Sequence, residues 1–304
     1  MDAWDELYRA DVLALCYRML GSFEEAEDLT QETFLRAWRA HDRYDPARAS
    51  VRTWLHRIAT NACLTFLEGR SRRALPSGLG AAGDDPYAPL TPRPDIPWLQ
   101  PFPDDPAATV EQRAGLRLAF VAALQLLPAR QRAALVLREV LQLPAAEVAS
   151  VLDTSVASVN SSLQRARATL HSSGLALDDL REPESPDDRA VIERYVKAFE
   201  AADVPALTRL LAEDVVLEMP PVALWLSGRD HYRTFLSRVF ALRGTGWRMR
   251  PVAANGTTAL AAYVPQAHSL QVFTVSDGLI RRCATFADPS LFPRFGLPDS
   301  QKNN

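Results

Sequence analysis

The stretch AAEVASVLDTSVASVNSSLQRARATL (145–170) decides how this chain is read. It predicts two short helices joined by a tight turn, with Asp153-Thr154 in the turn and Ser155 at the N-cap of the second helix. Val159, Leu163, Ala166 and Leu170 recur at helical spacing and form one apolar stripe. Ser158, Ser161, Ser162, Arg165 and Thr169 fall on the other side. Small residues let a helix approach the DNA major groove, and Arg and Gln reach base edges and phosphates. The pattern points to duplex DNA rather than to a small substrate. An ordinary amphipathic helical hairpin is the competing reading of this segment taken alone.

Outward from this segment, residues 111–172 are helical in pattern, punctuated by Pro128 and Pro144, and residues 1–73 are helical as well. Trp4, Leu7, Tyr8 and Val12 begin a first helix that runs to about Leu20, where Gly21-Ser22 breaks it. A second runs from near Glu24 to Ala40, its early acids suiting the positive end of a helix dipole. A third runs from about Ser50 to Arg70 after a turn at Tyr44-Asp45-Pro46. Residues 74–110 hold nine prolines and read as a linker, though Ile96, Trp98, Leu99 and Phe102 are sticky enough to dock somewhere. Residues 173–188 read as a second linker. Beyond them, helices give way to strand-like runs at 215–219, 247–252, 258–264, 269–276 and 279–286, with Asp277-Gly278 as a hairpin signal. Helices followed by a curled antiparallel sheet predict an α+β domain.

At 304 residues the chain accommodates two or three domains. No apolar run approaches the ~20 residues of a membrane span and no signal-peptide pattern opens the chain, so a cytoplasmic protein with no membrane contact is expected. Cys16, Cys63 and Cys283 lack metal-ligand spacing and read as buried thiols. The net charge of −3 conceals segregation. Residues 1–42 carry four Arg against ten acids, whereas residues 43–73 carry seven Arg against two. Residues 74–110 are acidic again and 111–172 basic. One face for nucleic acid and another for a basic protein partner fit this alternation.

On the second helix Asp28, Glu32, Leu35 and Arg39 share a face, with Gln31 beside it, while Phe34 and Trp38 form an i, i+4 pair. Arg52, Trp54, Arg57 and Asn61 lie along the third helix, with Arg70, Arg72 and Arg73 at its end. Aromatics interleaved with arginines can hold an unstacked base and its phosphates; Trp54 can equally be core.

Residues 1–172 resemble the extracytoplasmic-function (ECF) branch of the sigma-70 family. The stretches that carry the resemblance are AEDLTQETFLRAW (26–38), ASVRTWLHRIATNAC (49–63), LPARQRAALVLREV (127–140) and the opening hairpin. Thr65 and Glu68 depart from the pattern of many relatives, and Asp153 replaces a common turn glycine. The resemblance implies a polymerase-binding face at Asp28, Gln31, Glu32 and Arg39, docking on the β′ clamp helices of core RNA polymerase, with the β subunit as a further partner. It implies −10 promoter recognition and melting by Arg52, Trp54, Arg57, Asn61, Arg70, Arg72 and Arg73. It implies −35 recognition by Ser158, Asn160, Ser161, Ser162, Gln164, Arg165 and Arg167. Residues 188–298 resemble SnoaL-like domains through AVIERYVKAFEAADVPALTRLLAEDVVLEMPP (190–221), LWLSGRDHYRTFL (224–236) and HSLQVFTVSDGLIRR (268–282). A subset of ECF sigma factors carries such a domain, and the PWLQPFPD segment (97–104) belongs to that likeness.

The expected multi-domain fold has two all-α sigma domains, a helical region 2 (1–75) and a helix-turn-helix region 4 (111–172). A Pro-rich linker (76–110) joins them. A second linker (173–187), a conical α+β SnoaL-like domain (188–298) and a tail (299–304) follow. Met219, Trp225, Tyr232, Phe240, His268 and Phe286 are candidate lining residues of a pocket for an unknown small ligand. Catalysis there would need an acid–base group such as His268, Glu218, Asp214 or Asp288, and no pair of them has a spacing that demands chemistry. No catalytic residue, metal or cofactor is expected. The implied function is a sigma factor that directs promoter-specific initiation, regulated by intramolecular contact of its C-terminal domain with the sigma domains. A one-component helix-turn-helix regulator with a ligand-binding domain, and a SnoaL-like isomerase or cyclase with a DNA-binding leader, are the alternatives.

Overall fold

A computed structural model describes residues 2–105, 115–172 and 185–300. They fall into two compact units. One joins residues up to 73 with 115–172, and the other joins 74–105 with 185–300. The expected linkers and tail fall in part at 106–114, 173–184 and 301–304, outside the described residues.

The first unit is all helical: α1 (Asp2–Leu20), α2 (Phe23–Arg39), α3 (Val51–Leu67), α4 (Leu118–Leu124), α5 (Ala129–Leu135), α6 (Ala145–Val151) and α7 (Val156–Ser172). Gly21 at φ +69° closes α1, its N–H donating to Tyr17 O at 2.7 Å. Only a residue free of Cβ strain turns the chain there readily. Ser22 then caps α2 by accepting from Glu25 N, and Ser50 caps α3 by accepting from Thr53 N at 3.1 Å. Helix α3 ends at Leu67, three residues before the expected stop, because Gly69 takes φ +71°. Arg70 folds back over the Phe66 ring, 3.8 Å from its centroid. Val12, Leu15, Ala26, Ala37, Leu55 and Ala59 are buried where α1, α2 and α3 pack together. Cys16 and Cys63, remote in sequence, meet in this core, where the hydrogen bond to Cys16 and burial push the Cys63 thiol up. Helix α5 continues as a π turn, Val136–Val140.

The second unit is built on a six-stranded sheet of order β2-β1-β6-β5-β4-β3. Its strands are β1 (Leu211–Glu218), β2 (Trp225–Ser227), β3 (Arg248–Ala254), β4 (Thr257–Tyr263), β5 (Ala267–Ser276) and β6 (Leu279–Phe286). The sheet corrects the sequence expectation in two ways. It is mixed, since β1 runs parallel to β6, and it includes β2, which three residues with no periodicity did not announce. Hairpin turns Asn255-Gly256 and Asp277-Gly278 all take positive φ, the turn that matches strand twist. Helices α8 (Pro186–Glu200), α9 (Val204–Arg209) and α10 (Arg229–Arg243) complete the unit. Val191, Ile192, Tyr195, Phe199, Tyr232 and Trp247 form a buried core with the sheet. The segment Pro289–Phe295 follows β6 and sets Phe292 against Tyr263, ring centroids 5.2 Å apart.

The segment 74–105 lies along this second unit. Ser77 N donates to Glu218 Oε1 at 2.9 Å, Trp225 Nε1 to Gly80 O at 3.0 Å, and Gly83 N to Trp225 O at 2.8 Å. Arg238 spans Pro86 O and Ala88 O, each at 2.8 Å. Phe102 and Asn255 exchange two bonds of 2.9 Å, and Gly256 N donates to Asp104 Oδ2 at 2.7 Å. Leu99 and Phe102 are buried.

Candidate nucleic-acid interface

Helix α7 separates its residues by role. Val159, Leu163, Ala166 and Leu170 are buried. Ser158, Asn160, Ser161, Gln164, Arg165 and Arg167 are exposed, and Ser162 is half-buried. Ser155 Oγ accepts from Ser158 N at 3.2 Å, the expected N-cap. Asp153 holds the turn at φ +49°, a conformation Asp reaches more readily than most side chains. Arg165 Nη2 donates to Ser162 Oγ at 3.4 Å and is otherwise directed to solvent. Arg167 is committed to Glu139 at 2.5 Å, which ties α7 to the π turn. The front therefore presents hydroxyls, two amides and one guanidinium reaching outward, a set that matches base edges and phosphates.

Along α3, Arg57 and Asn61 are exposed on one face and Trp54 is half-buried. Trp54 belongs to a cluster with Trp4 and Tyr44, ring centroids 6.0 and 5.1 Å away, and His41 lies against Trp4 at 5.3 Å. Sequence spacing could not assemble this cluster, because its rings come from α1, the α2–α3 loop and α3. Arg52 pairs with Asp11 at 2.6 Å and Arg73 with Glu25 at 2.6 Å, while Arg70 stands 3.7 Å from Glu25. Arg72 is exposed. The basic segment is thus held partly by the acids of the segment before it.

On α2, Asp28, Gln31 and Arg39 are exposed and Glu32 is half-buried, paired with Arg36 at 2.7 Å. Phe34 and Trp38 do not act as a pair facing one way. Phe34 turns inward, whereas Trp38 is 62% and Leu35 48% exposed. Two large apolar side chains are thus exposed within a charged face. The sequence reading placed Leu35 on this face without assigning it a role, and it missed the exposure of Trp38.

In the second unit, of the candidate pocket residues Met219, Tyr232 and Phe286 are buried and Trp225, Phe240 and His268 are half-buried. Met219 and Tyr232 lie in the hydrophobic core, and Phe240 packs against Phe199, centroids 5.0 Å apart. The Tyr195 and Tyr232 hydroxyls face each other at 3.4 Å, and burial pushes both up in pKa. Trp225 holds Gly80 O, and Phe286 is buried. His268 stacks edge-on to Trp247 at 5.0 Å and contacts Ser269 Oγ at 3.1 Å, with burial pulling its pKa down. The acid candidates are also engaged. Buried Glu218 is paired with Arg282 and accepts from Ser77 N. Asp214 pairs with Arg281 at 3.3 Å, and Asp288 accepts from Ser290 N at 2.9 Å. Among the described residues, no helix is long and apolar enough to cross a membrane.

Comparison with known proteins agrees with this division. Models of sigma-70 region 2, sigma-70 region 4 and the SnoaL-like domain match residues 5–73, 117–170 and 192–283. The chain is 45% identical to the ECF RNA polymerase sigma factor SigG of Mycobacterium tuberculosis, over 98% of this chain and 84% of that one. It is 37% identical to the ECF RNA polymerase sigma factor SigE of Mycolicibacterium smegmatis, over 56% of this chain and 61% of that one. The crystal structure of Mycobacterium tuberculosis SigJ, an ECF sigma factor, has the same fold. It aligns at a TM-score of 0.69 and 24% identity, over 99% of this chain and all of that one. Helical regions 2 and 4 with a C-terminal SnoaL-like sheet domain, together with identity to SigG over nearly the whole length, place this chain in the ECF RNA polymerase sigma factor family.

Proposed function

We propose that this sigma factor docks on core RNA polymerase, its clamp helices foremost, through the exposed face of α2. Asp28, Gln31, Glu32 and Arg39 supply charge and Leu35 and Trp38 supply apolar contact. An acidic face suits a basic partner, and its central aromatic residue carries most of the binding energy. The exposed face of α3 with Arg57, Asn61, Arg70 and Arg72 engages the −10 element, the Trp54 cluster offering rings to an unpaired base. Arg52 and Arg73 position this surface through their ion pairs with Asp11 and Glu25. Ser158, Asn160, Ser161, Ser162, Gln164 and Arg165 on α7 read the −35 element, and Arg167 fixes the helix. The protein works in the cytoplasm beside the polymerase.

The C-terminal domain is a regulator without catalysis. Its buried core is packed with side chains, and the acids and the histidine named as its acid–base candidates are each engaged by a neighbour. It acts through segment 74–105, the connection between the two sigma regions, which it holds along its length.

The observation that carries this reading is α7: its apolar residues are buried while six of the seven candidate DNA residues are exposed. Run-off transcription with purified core polymerase over a library of promoter fragments tests it. Specific transcripts that need the chain, and that disappear with Arg165→Ala, support the reading. DNA binding with no association to the polymerase overturns it.

A further inference from the structure

One stretch of the C-terminal domain carries charge of a single sign. Residues 231–276 contain five arginines and neither aspartate nor glutamate, in a chain whose net charge is −3. Two of the five are engaged. Arg233 pairs with Asp230 at 3.2 Å, and Arg238 holds Pro86 O and Ala88 O. Arg243, Arg248 and Arg250 are exposed, and among the described residues none of the three has a carboxylate partner. Arg243 ends α10, close enough to His268 to disfavour its protonation. A turn through Gly244 (φ +76°) and Gly246 (φ +93°) then leads into β3. There Arg248 lies opposite Tyr263 and Arg250 opposite Ala261 on β4. Met249 between them belongs to the buried core, so Arg248 and Arg250 share the other face of the sheet. Leu242, 70% exposed, and Thr245, also exposed, border the arginines.

The helix dipole and edge protection do not account for this set. A cation in the last turn of a helix suits the dipole, which explains Arg243 alone. Charged side chains on an edge strand keep it from pairing with another sheet. The edge of β3 is already blunted, however. Met249 N donates to Glu200 Oε1 at 2.8 Å, Pro251 has no N–H to offer, and Ala253 O accepts from Asp104 N at 3.2 Å.

We propose that Arg243, Arg248 and Arg250 form a further DNA surface, on the C-terminal domain, that grips the phosphate backbone of duplex DNA without reading its sequence. Guanidinium groups bond phosphate oxygens through paired N–H donors, and no acid within 231–276 offsets their attraction for a polyanion. The proposal takes its ligand, but not its residues, from the reading of the chain as a promoter-binding sigma factor. The surface is carried on the same chain as α3 and α7, so even weak phosphate contacts add affinity once either helix holds DNA.

Fluorescence anisotropy of the full chain with a labelled duplex of random sequence, over a series of salt concentrations, tests this. A random duplex makes the result independent of the promoter elements assigned to α3 and α7. The combined variant Arg243→Gln, Arg248→Gln, Arg250→Gln is expected to flatten the slope of log K against log salt by about 2.5 to 3, roughly 0.9 for each phosphate neutralised, and to weaken binding about tenfold or more at low salt. Arg194→Gln, Lys197→Gln and Arg209→Gln together remove the same charge from exposed positions of α8 and α9 and should leave the slope near the parent's. Lysine at the three proposed positions should preserve most of the slope, since an ammonium also neutralises phosphate. The proposal is overturned if the parent does not bind the duplex, if the glutamine variant keeps the parent's slope, if the charge-matched control flattens it equally, or if lysine loses as much as glutamine. Normal DNA binding by the glutamine variant with weakened association to core polymerase would assign the surface to an acidic protein and would overturn it as well.

Discussion

Acid should loosen region 2 through one residue, His56. Its side chain is fully buried in α3, and neither ring nitrogen has a hydrogen-bond partner. Burial pushes its pKa down to about 4, with Arg52 and Arg18 adding to the fall and Asp11 opposing it. In the unfolded chain the imidazole titrates near its ordinary 6.5. The folded state thus binds the proton more weakly, and stability is lost as pH falls from 6.5 toward 4, then levels off. The loss attributable to His56 is about 2 kcal/mol at pH 5 and roughly 3 kcal/mol by pH 4. Replacing it with leucine removes two unpaired buried polar atoms and the titration together. Urea unfolding followed by far-UV circular dichroism, at pH 7.5, 6 and 5, measures the effect in the full chain. Other titrating groups are common to both proteins, so the difference between their pH slopes isolates the histidine. The parent should lose about 2 kcal/mol more than His56→Leu between pH 7.5 and 5. Equal losses would refute the reasoning, for they would mean that the ring is neutral-bound or hydrated in a way its burial denies.

Other outcomes follow from the same geometry. Trp38→Ala should weaken association with core polymerase by about 2 kcal/mol, and Asp28→Arg with Glu32→Arg should weaken it further, with circular dichroism unchanged; unaltered binding in native gels would remove α2 from the interface. Arg165→Ala should cost about 1–3 kcal/mol at one −35 base position in a binding titration, whereas a uniform loss over all sequences would make it a phosphate contact. Glu218→Gln should cost about 2 kcal/mol by leaving Arg282 without its charge partner and weakening the hold on Ser77. Limited proteolysis should then cut within 79–95 sooner than in the parent, and an unchanged cleavage pattern would count against that anchor.

What the sequence determined by itself was local. The apolar stripe of α7, the Ser155 cap and the helix breaks at Gly21 and Pro128 each depend on residues within a few positions of one another, so periodicity and capping chemistry expose them directly. The hairpin at Asp277-Gly278 was legible for the same reason. Two charge zones of opposite sign were legible too, but not their pairing. Only the tertiary structure decided that Arg52, Arg73 and Arg167 are bound to Asp11, Glu25 and Glu139. It decided that Trp38 faces out while Phe34 faces in, that β1 runs parallel to β6, and that segment 74–105 lies on the C-terminal sheet domain. A side chain's partner, a strand's direction relative to a distant strand and the resting place of a Pro-rich segment depend on which remote surfaces meet. No spacing along the chain encodes that, because the same local pattern is satisfied by many long-range arrangements and only the packed whole selects one.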